Sequence, residues 1–214
     1  MVGQFVTMKG KFVLDARIRP LIDPPLNRLG IWLAKRGISA NGITLLGMVF
    51  GLAAAGVIAL DLPYWAALVL VFASRLADGL DGAIARATRK TDFGGYLDIF
   101  CDFIFYAAIP LSFVFQDPIA NGLAGALVIA SFYVNAASFL GFALLADRHG
   151  METTAQGQKS LYYASGLLEG FETILFFVWI IVFPHHFAIA ATLFAGLCLV
   201  TAVARVIHAH QLFR

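Results

Sequence analysis

Six long apolar runs, at residues 42–60, 64–86, 93–115, 119–146, 161–183 and 187–207, occupy most of this 214-residue chain. Each is about long enough to cross a hydrocarbon core as a helix, which takes roughly 20 residues. A bilayer offers backbone groups no water, so only helices and closed barrels span it. A barrel would need short alternating segments instead. Composition agrees: 60% of residues are hydrophobic and 13% charged, against about 45–50% and about 25% in soluble domains. Such a balance excludes a soluble enzyme with one apolar tail, a disordered chain and a disulfide-stapled secreted domain. The expected fold class is all-α, a polytopic membrane protein of six transmembrane helices plus an N-terminal interfacial helix. Residues 1–38 are the interfacial amphipathic segment in this reading, and 39–214 the six-helix membrane domain.

Orientation follows from the basic residues. Lys9, Lys11, Arg17, Arg19, Arg28, Lys35 and Arg36 precede the first run. Arg86, Arg89 and Lys90 lie between runs two and three, Arg148 and Lys159 between four and five, and Arg205 and Arg214 at the end. The opposite connectors hold no Lys or Arg, and Arg75 lies inside run two. The positive-inside rule then places both termini in the cytoplasm. Bulky apolar residues between 11 and 36, interleaved with Arg, Lys and Asp and divided by Pro20, Pro24 and Pro25, predict one or two short helices lying on the anionic leaflet. Met1–Met8 is too short for the apolar part of a secretory signal. Cys101 and Cys198 sit inside apolar runs and read as buried thiols.

Against this background the carboxylates stand out. Asp78, Asp81, Asp98 and Asp102 lie within runs two and three. An Asp near the centre of a membrane helix costs about 2.5–3.5 kcal/mol on insertion scales, so such residues are functional candidates by default. Asp78 and Asp81 are three residues apart, Asp98 and Asp102 four, so each pair shares a helix face. Counted from a turn near residue 90, Asp78 matches Asp102 in depth and Asp81 matches Asp98. At 1.5 Å per residue these two levels lie about 12–18 Å from the turn. Four clustered acids repel unless cations neutralise them. An all-oxygen donor set suits Mg²⁺ or Mn²⁺, two ions balance the charge, and zinc is disfavoured. Gly79, Gly82, Ala83 and Ala85 remove bulk where a nucleotide would approach, and Arg75 and Arg86 can pair with phosphate oxygens or a carboxylate. A small cation transporter is the competing reading, since carboxylate clusters also mark ion paths. Toward the far side, however, runs two and three turn apolar through Ala66–Phe72 and Phe103–Phe115.

The segment Asp78-x2-Asp81-Gly82-x2-Ala85-Arg86, seven residues, then Gly94-x3-Asp98-x3-Asp102, resembles the signature of the CDP-alcohol phosphatidyltransferase family at every fixed position. The six-run plan and Ile38-Ser-Ala-Asn41-Gly-Ile-Thr44 extend the resemblance over nearly the whole chain, closest to small bacterial inner-membrane phosphatidyltransferases. It implies a phospholipid-synthesis enzyme of the cell inner membrane. Such an enzyme transfers a phosphatidyl group from CDP-diacylglycerol to a hydroxyl acceptor and releases CMP. Carried onto this sequence, the family pattern has Asp78, Asp81 and Asp98 hold the divalent ions, with Asp102 as general base that also touches a metal. Asp78, Asp81, Gly82, Ala85 and Arg86 would then form the CDP-binding set, with Gly82 and Ala85 admitting the cytidine and Arg86 steadying its phosphates.

Arg75, Arg148, Lys159 and Arg205, near the cytoplasmic mouth but outside the motif, are candidate acceptor-binding residues for a phosphorylated alcohol such as glycerol 3-phosphate or inositol phosphate. Each taken singly also reads as a topology or headgroup contact. Nothing in the residues separates these acceptors from serine or phosphatidylglycerol. Glu169 and Glu172 either line the acceptor pocket or pair with Arg75 or Arg205. Gly47-x3-Gly51 and Gly166-x3-Gly170 read as close helix contacts within the chain, with a homodimer face as the alternative. His185-His186 and His208-x-His210 read as solvated. Basic residues that track one membrane side give nucleic-acid binding no support.

Overall fold

The computed structural model describes residues 14–150, 168 and 170–214. Among them every regular element is helical: α1 (Leu14–Lys35), α2 (Ala40–Ala59), α3 (Tyr64–Ala87), α4 (Asp92–Gln116), α5 (Pro118–Arg148), α6 (Gly170–Val182) and α7 (Phe187–Leu212), with a 3₁₀ turn at Pro184–His186. Lys159, Gly166 and Glu169 lie outside the described residues. Among the described residues, five of the six apolar runs each correspond to one helix, and the part of the run 161–183 from residue 170 onward forms α6. Among the described residues four segments, α2, α4, α5 and Pro184–Leu212, are long and apolar enough to cross a membrane. The 24-residue α3 is as long, but it carries Arg75, Asp78, Asp81 and Arg86. The basic segment before the first apolar run contains one 22-residue helix, α1.

Local chemistry sets the boundaries. Ser39 caps α2, its hydroxyl accepting from the Gly42 N–H at 3.2 Å, and Thr91 caps α4 by accepting from the Gly94 N–H at 3.0 Å. Asp117 accepts from Ile119 and Ala120 N–H groups at the start of α5, with Pro118 in the first turn where its missing N–H costs nothing. Gly37, at φ +79°, lets the chain turn between α1 and α2.

Helices α3 and α4 both pack on α2, α5 pairs with α7, α4 joins the two groups through α5, and α6 returns onto α3. Small residues permit the closest approaches: a Cβ on Gly47 would sit 3.1 Å from that of Ala77, and one on Gly51 would sit 2.5 Å from the Phe105 ring. Gly47-x3-Gly51 therefore serves packing within the chain. Below it lies an aromatic core. Phe105 meets Phe177 edge to face at 5.5 Å, Phe113 stacks on Phe187 at 4.6 Å and Phe176 stacks on Phe194 at 4.2 Å. The outward faces stay apolar, with Trp65, Phe72, Phe115, Leu123 and Leu193 exposed. That surface is what a helix bundle presents to lipid rather than water. Trp32 and Trp65, expected near the membrane interface, are both exposed.

Candidate metal and nucleotide site

The short connection from Thr88 to Thr91 leads from α3 into α4; both helices pack on α2, and together they assemble the carboxylates. Asp78, Asp98 and Asp102 each offer an oxygen within 4.8 Å of the others. The cluster thus joins both depth levels expected from sequence. Asp81 turns elsewhere and accepts from Thr44 Oγ1 of α2 at 2.5 Å. Helical geometry supplies the reason: a three-residue step leaves Asp81 about 60° around the helix from Asp78. One side chain therefore faces α4 while the other swings toward α2. Asp81 is buried and still reaches the same cavity as Asp98 and Asp102.

Arg75 is the counter-charge within the cluster. Its Nη1 lies 2.8 Å from Asp102 Oδ1 and 3.8 Å from Asp78 Oδ1. Nη2 donates to Ser74 Oγ at 3.1 Å, and the guanidinium sits 4.3 Å over the Phe105 ring. One guanidinium against three gathered carboxylates leaves a net negative site, in a setting where unbalanced charge is costly. The donors are all hard oxygens, so the residues fit a divalent cation of the Mg²⁺ or Mn²⁺ type.

A cavity of about 590 Å³ opens beside the cluster, within the roughly 300–1,000 Å³ range of small-molecule sites. Its walls include Gly82, Ala85 and Arg86 of α3, Gly94, Asp98 and Asp102 of α4, and Asn41 and Thr44 of α2. The four small residues of α3 divide into two groups. Gly82 and Ala85 line the cavity, whereas Gly79 and Ala83 face α1, where Leu26 and Gly30 press against them. Gly94 also has little room, since a Cβ there would lie 3.0 Å from Thr91 Oγ1 and 3.2 Å from Asn41 Oδ1. Arg86 is held from outside the motif, its Nε and Nη2 both donating to Asn27 Oδ1 of α1, at 3.2 and 2.9 Å.

The far wall comes from α5, α6 and α7, through Asn135, Phe139, Thr173 and Arg205. Arg205 is only 5% exposed; its Nη1 donates to Asn135 Oδ1 at 2.8 Å and to Ser138 Oγ at 2.7 Å. Of the four basic residues expected to bind the acceptor, Arg205 alone lines the cavity among those described. Arg75 sits behind the carboxylates, and Arg148 is exposed at the end of α5. Glu172, on α6, is half-buried and is not among the lining residues. Sequence reasoning missed Asn27, Asn135 and Ser138 as supports. Asn135 had a usable signal, an amide inside an apolar run. Asn27 had none, because a polar residue in a segment expected to lie at the interface needs no explanation.

Comparison with known proteins places this geometry. Residues 38–207 match the CDP-alcohol phosphatidyltransferase family. "Inner membrane protein YnjF" of Escherichia coli is 44% identical over 194 residues, covering 91% of this chain and 94% of that protein. Archaetidylinositol phosphate synthase of Pyrococcus horikoshii is 40% identical over 95 residues, covering 44% of this chain and 50% of its own. Among solved structures, Mycobacterium tuberculosis phosphatidylinositol phosphate synthase with CDP-DAG bound superposes with a TM-score of 0.64 at 21% identity, covering 88% of this chain and 94% of that one. Its complex with manganese and citrate gives 0.66 at 22% identity, covering 88% and 89%. That likeness establishes a shared fold.

Proposed function

Because the chain belongs to the CDP-alcohol phosphatidyltransferase family, we propose that it transfers the phosphatidyl group of CDP-diacylglycerol to a polar alcohol such as glycerol 3-phosphate, releasing CMP. The observation that carries this reading is the gathering of Asp78, Asp98 and Asp102 within 4.8 Å, beside a cavity walled by Gly82, Ala85 and Arg86. The CDP-DAG and manganese complexes of the mycobacterial neighbour support it. Nothing in these relationships favours the cation-transport alternative.

Asp78, Asp81, Asp98 and Asp102 would hold two divalent ions, Mg²⁺ or Mn²⁺. Bound there, such ions would supply positive charge to offset the negative charge that develops as CMP departs. The remaining work falls to the side chains. Gly82 and Ala85 leave room for the cytidine, while Arg86 donates to its phosphates. Asp102 accepts the proton of the acceptor hydroxyl. A new P–O bond forms from that oxygen to the phosphorus carrying diacylglycerol, and the P–O bond to CMP breaks. Arg75 grips Asp102 through Oδ1 and so fixes the direction of this carboxylate. Arg205, held rigid by Asn135 and Ser138, binds the acceptor from the opposite wall, and Lys159 and Arg148 add positive charge near the mouth.

We place the protein in the inner membrane with six spans and both termini cytoplasmic. Residues 1–38 are the interfacial segment and 39–214 the transferase domain. The 44% identical inner-membrane relative supports the location. Purified protein incubated with CDP-diacylglycerol, Mg²⁺ and a panel of alcohol acceptors should release CMP and form a new phospholipid with one of them. No CMP release with any acceptor, or ion flux through vesicles without CMP release, would refute the proposal.

A further inference from the structure

We propose that Asn27, on the interfacial helix α1, is the positioning residue that presents Arg86 to the phosphates of the CDP donor; this rests on the phosphatidyltransferase reading above. Helix α1 crosses α3 at close range on both sides of Asn27. A Cβ on Gly79 would lie 2.9 Å from Leu26 Cδ1, and one on Gly30 would lie 2.6 Å from that of Ala83. These contacts clamp Asn27 against the part of α3 that carries Arg86. One amide oxygen has two lone pairs and can serve two donors, and Asn27 Oδ1 takes both Nε–H and an Nη2 hydrogen of Arg86.

The consequence lies in what is left of the guanidinium. Nη1 lies over Gly82, where a Cβ would be 3.2 Å away, and Gly82 lines the cavity. Arg86 itself is exposed, so without an anchor its long side chain would sample many rotamers. A free arginine side chain carries a large rotamer entropy, and a held planar fork loses less of it on meeting an anion. Asn27 thus takes one edge of the fork and leaves the other beside the cavity wall. By this contact the interfacial segment becomes part of the nucleotide site.

The test is CDP binding by the purified full-length protein in detergent with Mn²⁺, measured by calorimetry, alongside steady-state kinetics. Asn27→Ala should raise the Kd for CDP and the KM for CDP-diacylglycerol about tenfold, while kcat and the acceptor KM move less than about twofold. Asn27→Asp keeps an oxygen acceptor and should stay within about threefold of the wild type. Leu26→Ala loosens the α1–α3 clamp but keeps the Asn27 amide, so it should lower Tm and raise the CDP Kd less than Asn27→Ala does. Should Asn27→Ala fail to fold, Asn27→Ser is measured in its place, with and without Arg86→Ala. The two effects should then not add. Unchanged CDP affinity in Asn27→Ala, equal damage in Asn27→Asp, additive effects in the pair, or a loss in Leu26→Ala as large as that in Asn27→Ala would each overturn the role of Asn27. Absence of CDP binding by the wild type would instead refute the underlying functional reading.

Discussion

Placing one methyl group on Gly51 tests whether the α2–α4 contact is as close as the structure shows. The added Cβ would sit 2.5 Å from Phe105 Cδ2 and 3.3 Å from both Phe105 Cε2 and Ser74 Oγ. Carbon atoms pack comfortably at about 3.5–4.0 Å, so the overlap with the ring is about 1 Å. The ring has little freedom to yield, being 1% exposed and flanked by Tyr106 and Phe177. Overpacking of this kind costs about 1–3 kcal/mol. In the bilayer the separated helices keep their internal hydrogen bonds, so the usual gain in helix propensity from Gly to Ala offsets little of it. For a chain of this size, about 2–4 °C per kcal/mol converts that to a fall of roughly 2–12 °C in Tm.

Thermal unfolding of Gly51→Ala in detergent micelles should show this loss. Gly196→Ala on α7, where nothing lies within 4 Å of the added Cβ, should stay within about 0.5 kcal/mol of the wild type. The same ring supports the Arg75 guanidinium, so turnover of the folded Gly51→Ala protein should also drop. Phe105→Leu, by removing the obstructing ring atoms, should recover part of the Gly51→Ala loss in the double variant. Equal Tm for Gly51→Ala and Gly196→Ala, or strict additivity with Phe105→Leu, would refute the packing argument.

Three further outcomes bear on the site. Asp102→Asn should abolish CMP release while CDP-lipid binding persists; undiminished turnover would sink the general-base assignment. Activity should vanish with EDTA and return with Mg²⁺ or Mn²⁺, and paramagnetic resonance should detect Mn²⁺ bound to the wild type but weakened by Asp98→Asn. Activity insensitive to chelation would contradict the metal site. Arg205→Met should raise the KM for a phosphorylated acceptor at least about tenfold, the scale of one charge-assisted contact, with the KM for CDP-diacylglycerol unchanged. Equal effects on both substrates would remove Arg205 from the acceptor wall.

Much of this protein was determined by sequence alone. Apolar runs of span length admit only helices, and every regular element among the described residues is a helix, with four segments long and apolar enough to span. The spacing of Asp78, Asp81, Asp98 and Asp102 in a helical hairpin was enough to predict a hard-oxygen metal site, because helical period and depth are local properties. The family signature supplied the chemistry. What spacing left open was azimuth between helices, which depends on how three helices cross rather than on any one of them. Only the packed structure joined Asp78 with Asp98 and Asp102 while turning Asp81 to Thr44, and only it divided Gly79 and Ala83 from Gly82 and Ala85. The same holds for the arginines. Arg75, Arg148 and Arg205 looked equivalent by charge and by placement near the mouth. Burial then set Arg75 against the carboxylates, fixed Arg205 on the opposite wall with Asn135 and Ser138, and left Arg148 exposed. Charge count is written in the sequence, but the partner of each charge is decided by which helices touch.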